Sequence, residues 1–267
     1  MRGIGRMENK MIFETHAHYE DEAFDEDREE LLNSLPKQGI QYVVNVGSDF
    51  STLDQVIALT EQYSYIYGAI GVHPGNTQVL NEETFAQLKE KFGHPKCVAI
   101  GEIGLDYYWD TPDRETQKIW FARQMELAKE VNLPMVIHSR DAANDTYGMM
   151  KEANSEKVGA IIHCFGYGKE QARQYLNMGF YLGIGGVVTF TNGRKLKEVV
   201  EYAPLEQLVL ETDCPYLAPV PHRGKRNYSG YLSLIAQEIA RIKKVEYETV
   251  LRVTSENAMK FYRIESK

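Results

Sequence analysis

Eight short, apolar, β-branched runs constrain what this chain can fold into more than any other feature. They are Met11–His16, Tyr42–Gly47, Tyr65–His73, Cys97–Asp106, Pro134–Arg140, Ala160–Phe165, Tyr181–Gly186 and Leu208–Asp213. Each reads as a near-continuous apolar run, the pattern of a parallel strand buried on both faces. Amphipathic stretches lie between them. Asp113–Val131 carries Ile119, Trp120, Ala122, Arg123 and Leu127 at helical spacing, with Asp113 placed to cap its first turn. Glu246–Arg263 reads as a last helix that closes the fold. Strand–helix alternation over about 250 residues predicts an α/β fold, a single-domain (β/α)8 TIM barrel. The domain is placed at 7–267, with 1–6 as a loose extension. An open doubly wound sheet shares the alternation, and periodicity does not separate the two.

Composition narrows the function classes. Thirty Lys and Arg against 38 Asp and Glu give a net charge of −8, so no broad basic face is available to coat nucleic acid. A local basic pocket remains compatible with that balance. Cys97, Cys164 and Cys214 are far apart and odd in number, with no C-x-x-C, which suits reduced thiols. The segment MRGIGRMENKMIF has no apolar signal-peptide core, and no run of ~18 apolar residues exists. The expected location is cytoplasmic, with no membrane partner.

Polar residues stand at the predicted strand ends. Strand 1 ends in Glu14-Thr15-His16-Ala17-His18, strand 4 carries Glu102, strand 5 ends at His138, strand 6 at His163 and strand 8 at Asp213. In a barrel those ends converge on one face. Neutral imidazoles and carboxylates are ordinary ligands of divalent ions. His16 and His18, two apart on an extended segment, point the same way. Six ligands exceed the three of one open catalytic site but suit two ions sharing a bridge. Glu102 is assigned as that bridge. His16, His18, Glu102 and Asp213 take the first ion; Glu102, His138 and His163 take the second. Taken singly, each histidine reads equally as a hydrogen-bonded rim residue, Glu102 as a salt-bridge partner and Asp213 as a cap. Jointly, six polar groups on an apolar barrel top need strong partners.

These residues resemble the TatD-like metal-dependent hydrolases, a branch of the amidohydrolase-type barrels. The resemblance runs from Ile12 to Tyr262. It rests on THAH at 15–18, GVHP at 71–74, IGEIGLDYY at 100–108, VIHSRDA at 136–142, HCF at 163–165, LGIGG at 182–186, ETDCPYLAP at 211–219, RGKRN at 223–227 and Asn257. It implies a TIM barrel, two divalent metal ions (Mg, Mn or Zn) and hydrolysis, with DNA as the substrate class. It also implies that Asp213 takes the proton from the attacking water. Glu14 stands where the family usually has Asp, which predicts a carboxylate shifted near the first ion. After RGKRN the chain has Tyr228-Ser229-Gly230 where the family often has an acidic residue or a proline.

The expected activity is a phosphodiester-cleaving deoxyribonuclease, a 3′–5′ exonuclease on single strands. Arg223, Lys225 and Arg226 are candidate phosphate contacts on the loop after strand 8, as are Arg140 and His73. A solvated basic loop, a salt bridge from Arg140 to Asp141 and a turn cap by His73 are the plain alternatives. Gly183-Ile184-Gly185-Gly186 and Gly224 offer close backbone approach. Phe165, Tyr107 and Tyr108 are candidate base-stacking aromatics, weighed against ordinary packing. Two other classes stay open. One is a metal-dependent ester or amide hydrolase, such as an aminoacyl-tRNA deacylase or lactonase. The other is a binding scaffold with a structural metal.

Overall fold

The computed structural model describes residues 11–265. The extension at 1–6 and both ends of the domain assigned to 7–267 therefore fall outside the described residues. Eight parallel strands pair in chain order: β1 Ile12–Ala17, β2 Ile40–Val46, β3 Ile66–Ile70, β4 Cys97–Asp106, β5 Met135–Arg140, β6 Ala160–Ile162, β7 Tyr181–Ile184 and β8 Leu208–Leu210. A helix follows every strand: α1 Arg28–Ser34, α2 Leu53–Gln62, α3 Glu82–Lys91, α4 Arg114–Glu130, α5 Ala143–Glu152, α6 Lys169–Asn177, α7 Arg194–Tyr202 and α8 Leu232–Lys243. Helix α9, Tyr247–Tyr262, completes the described chain. The sheet is not the open doubly wound alternative, whose strand order reverses at a switch point. Strand neighbours here are sequence neighbours, and β1 returns to meet β8.

The ring closes through side chains and short backbone bonds rather than a long ladder. Asp213 N donates to His16 O (3.0 Å), His18 N to Cys214 O (2.9 Å), and the Thr15 hydroxyl to Leu210 O (2.9 Å). Glu14 is a strap across the same seam. Its carboxylate accepts from Thr212 N (2.8 Å), the Thr212 hydroxyl (2.6 Å) and His16 N (3.2 Å). Burial pushes Glu14 up to about 8, against the lowering pull of its Thr212 bonds. The carboxylate thus stands beside the predicted ligand His16, held there by Thr212. On the outside, α9 ties down β8: Asn257 Nδ2 donates to Leu205 O (2.9 Å) and Leu208 O (2.8 Å). Asp113 caps α4 as the sequence predicts, accepting from Glu115 N and Thr116 N.

Several strands end earlier than the apolar runs suggest. The predicted Tyr65–His73 stops at Ile70, Ala160–Phe165 at Ile162, Tyr181–Gly186 at Ile184 and Leu208–Asp213 at Leu210. Regular pairing stops where the chain turns at the mouth of the barrel. Cys164 (φ 43°) and Asp213 (φ 58°) adopt left-handed backbone there. His163 and Asp213 therefore sit in the turns just beyond their strands, not within them.

Candidate metal centre

Glu102 lies midway along β4 and points into the barrel, almost wholly buried. Its two oxygens face different groups. Oε1 lies 2.7 Å from His138 Nδ1 and 3.2 Å from His163 Nε2. Oε2 lies 3.5 Å from His16 Nε2 and 3.9 Å from His18 Nε2. Asp213 Oδ1 completes the set expected to take the first ion, 3.7 Å from His16 Nε2 and 3.4 Å from His18 Nε2. All six predicted ligands are thus together, drawn from β1, β4, β5 and the turns after β6 and β8. His16 belongs to both sets: its ring stacks on His163 at 3.7 Å between centroids.

The donor set fits divalent cations on three counts. First, four ligand atoms each about 2.0–2.2 Å from one tetrahedral ion lie about 3.4 Å apart. The first group spans 3.1 Å (His16 Nε2 to His18 Nε2) to 3.9 Å. Second, outer acceptors orient the imidazoles. His18 Nδ1 donates to Val46 O (2.7 Å), His138 Nε2 to Asp106 Oδ2 (3.0 Å), and His163 Nδ1 faces Glu211 Oε1 at 3.3 Å. With a cation in place of the protons these rings share with the carboxylates, His18 Nε2, His138 Nδ1 and His163 Nε2 would be the nitrogens facing it. Third, the carboxylates are ionised. Burial would raise Glu102, but the charge of His163 and hydrogen bonds from His138 and His16 hold it well below the usual range. Asp213 is likewise held low: burial opposes this, and the His163 charge and a His18 hydrogen bond prevail.

His73 plays a different part. Its Nδ1 accepts from Gly75 N (3.0 Å), capping the turn Pro74–Val79. The Nε2 proton then points toward Glu102 Oε1, 4.0 Å away. Burial, with the charge of His138 adding to it, lowers His73 to about 3, so the ring stays neutral. As a proton carrier that nitrogen is a donor; deprotonated, it would join Glu102 and His138 in a group able to hold an ion.

The remaining candidates divide. Arg140 lies over the Tyr108 ring (3.8 Å) and Arg223 over Phe190 (4.3 Å). Neither guanidinium, nor the exposed Lys225, pairs with a carboxylate among the described residues, and Arg140 makes no salt bridge to Asp141. Arg226, by contrast, forks onto Asp27 (2.7 and 2.5 Å) and donates to Ala23 O. It joins the loops after β1 and β8, which leaves little of it for phosphate. Phe165 is buried, and the Tyr107 hydroxyl is committed to Asp145, so neither presents a face for a base. The glycines in and just after β7 serve the interior: Glu211 occupies the space a side chain at Gly183 would need, and the Leu217 carbonyl does so at Gly186.

Sequence reasoning passed over Asp106 and Glu211, the partners of His138 and His163. The signal for Asp106 was present. Asp106 stands four residues after Glu102 in the same strand, the alternation that puts two side chains on one face. Asp106→Ala is expected to weaken divalent-metal binding about 10- to 100-fold. Metal retained after dialysis against graded chelator reads this out; affinity within twofold of wild type would show that His138 orients without Asp106.

A profile of the family described as TatD related DNase matches residues 13–263. The chain belongs to the TatD family. Among TatD-family relatives, a Bacillus subtilis protein described as the uncharacterized metal-dependent hydrolase YabD is 45% identical over 254 residues, covering 95% of this chain and all of that one. YcfH of Escherichia coli K12, described in the same words, is 31% identical over 96% of this chain and 97% of its own. The crystal structure of YjjV, a TatD homologue from Escherichia coli K12, superposes with a TM-score of 0.91 at 26% identity, covering 96% of this chain and 100% of that one. This TatD-family chain is a metal-dependent hydrolase, and its His, Glu and Asp clusters suit metal binding. No helix among the described residues is long and apolar enough to cross a membrane.

Proposed function

We propose that this hydrolase cleaves phosphodiester bonds of single-stranded DNA, removing nucleotides from the 3′ end, with two divalent ions held at the centre. One observation carries the reading. Glu102 divides its two oxygens between two donor groups, and two carboxylate-free guanidiniums stand beyond the strand ends, Arg140 closing β5 and Arg223 on the loop after β8. His16, His18, Asp213 and Glu102 would hold one ion; Glu102, His138 and His163 would hold the other. Bound there, divalent ions such as Mg, Mn or Zn lower the pKa of water and offset phosphate charge.

The chain's own groups supply the rest. Asp213 is ionised and is the more open of the two central carboxylates, its side chain 15% exposed against 5% for Glu102. It accepts the proton as water adds to phosphorus, and returns it to the departing sugar oxygen as the P–O ester bond breaks. Neutral His73 donates its Nε2 proton to a phosphate oxygen. Arg140 and Arg223, each over an aromatic ring and paired with no carboxylate among the described residues, offer their N–H groups to the same anion.

The test is cleavage of a 5′-labelled single-stranded oligonucleotide by protein loaded with Mg, Mn or Zn. Stepwise shortening is expected, with a rate that falls steeply from low to physiological salt because the protein is acidic and attraction is local. Intact DNA with all three ions, alongside turnover of an aminoacyl ester or a lactone, would transfer the site to carboxyl esters.

A further inference from the structure

We infer that the Trp109 indole is a stacking platform for a nucleobase of the strand whose phosphodiester lies at Glu102 and His138; this rests on the phosphodiesterase reading. Among the described large apolar side chains Trp109 is the most exposed, at 67%, followed by Ile119 and then Tyr108 at 55%. Ile119 sits on helix α4; the two aromatics sit together on the turn after β4, at the mouth.

That turn is fixed rather than loose. Asp106 Oδ1 accepts from Tyr108 N (2.9 Å) and Trp109 N (3.2 Å). Tyr107 N donates to Arg140 O (2.9 Å), and the Tyr107 ring is covered by Arg114, which also pairs with Asp110 (3.0 Å). Asp106 meanwhile holds His138 through its other oxygen. One carboxylate therefore sets both an imidazole of the centre and the backbone beneath the indole. The distance from base platform to reacting phosphate is built into a single residue.

The indole's exposure of 67% leaves flat surface open to solvent. Its one ring contact among the described residues is T-shaped, with Tyr108, centroids 5.0 Å apart and planes at 90°, so at most one face is engaged. Arg140 covers Tyr108 instead, 3.8 Å above that ring. An anion and a flat aromatic group are thus offered adjacent berths: guanidinium edges for phosphate, indole for base. A nucleotide of an unpaired strand presents both together, and base–aromatic stacking tolerates any sequence. A duplex keeps its bases stacked on one another and cannot use the indole without opening.

The chain has two tryptophans, and Trp120 on α4 packs against Phe85 and Arg123. Trp120→Phe therefore leaves Trp109 as the sole tryptophan, read selectively by excitation at the red edge where tyrosine does not absorb. Titration of that variant with a six-nucleotide thymidine oligomer is expected to quench its emission. An abasic sugar–phosphate oligomer of equal charge should not. In kinetics, the wild type is expected to show a KM about tenfold lower for the thymidine oligomer than for the abasic one. Trp109→Ala should collapse that ratio toward one, and Trp109→Phe should restore most of it. Cleavage of the thymidine oligomer without quenching, or an unchanged KM ratio in Trp109→Ala, overturns the platform. A wild type that cleaves neither oligomer removes the phosphodiesterase reading instead; quenching that persists there keeps the indole as a base-binding surface, and its loss removes both.

Discussion

Replacing Glu102 by Gln is expected to reduce metal-dependent hydrolysis by more than about 100-fold, the upper end for losing an outer partner of a metal site. The substitution keeps the volume and removes the charge. Four imidazole nitrogens lie between 2.7 and 3.9 Å from the two Glu102 oxygens. With Gln, one of the two terminal atoms becomes an NH2 group, which is a donor and no ligand. Whichever way the amide turns, one donor group loses its shared atom. Metal analysis should therefore show fewer bound ions per chain, in step with the fall in kcat. Full metal content with normal kcat would show that Glu102 is not shared between the groups. Circular dichroism should still report a folded barrel, because the surrounding strands do not depend on this side chain for pairing.

The second large effect concerns stability. Gly104→Ala is expected to destabilise the fold by roughly 3–5 kcal/mol, or to prevent accumulation of folded protein, the range reserved for strain combined with overpacking. Gly104 has φ 148°, where residues with a Cβ are strained, and a Cβ there would fall on the His138 carbonyl oxygen. The opposing backbone belongs to β5, in register at Gly104 and His138. Relief requires β4 and β5 to part, which displaces His138 and loosens Asp106. A urea midpoint lowered far beyond that of a surface Gly→Ala control is the expected result. An unchanged midpoint would mean that the strands can separate here without loss.

Much of this architecture is legible in the chain. Parallel strands buried on both faces announce themselves as apolar runs, and the interruptions of those runs by His16, His18, Glu102, His138, His163 and Asp213 mark the mouth. What the runs do not carry is the point where pairing ceases. Burial continues past Ile162 and Leu210 through His163, Phe165, Glu211 and Thr212, so the predicted strands run on into the turns. Pairing choices among charged residues were equally hidden. Arg223 and Arg226 stand three apart in one motif, yet Asp27, nearly two hundred residues earlier, claims only Arg226. Glu14 and Glu211 are short-range neighbours of ligands in sequence, but only the fold shows that one straps a seam and the other backs an imidazole. Trp109 escaped notice because exposure is a tertiary property that no local pattern encodes.

The junction between β1 and β8 has a practical consequence. The same few residues that complete the cylinder also deliver His16, His18 and Asp213 to one another, from opposite ends of the polypeptide. A fragment lacking either end cannot assemble the His16, His18 and Asp213 group, whatever becomes of Glu102, His138 and His163. Any activity that needs both groups therefore waits until the two ends of the barrel have met.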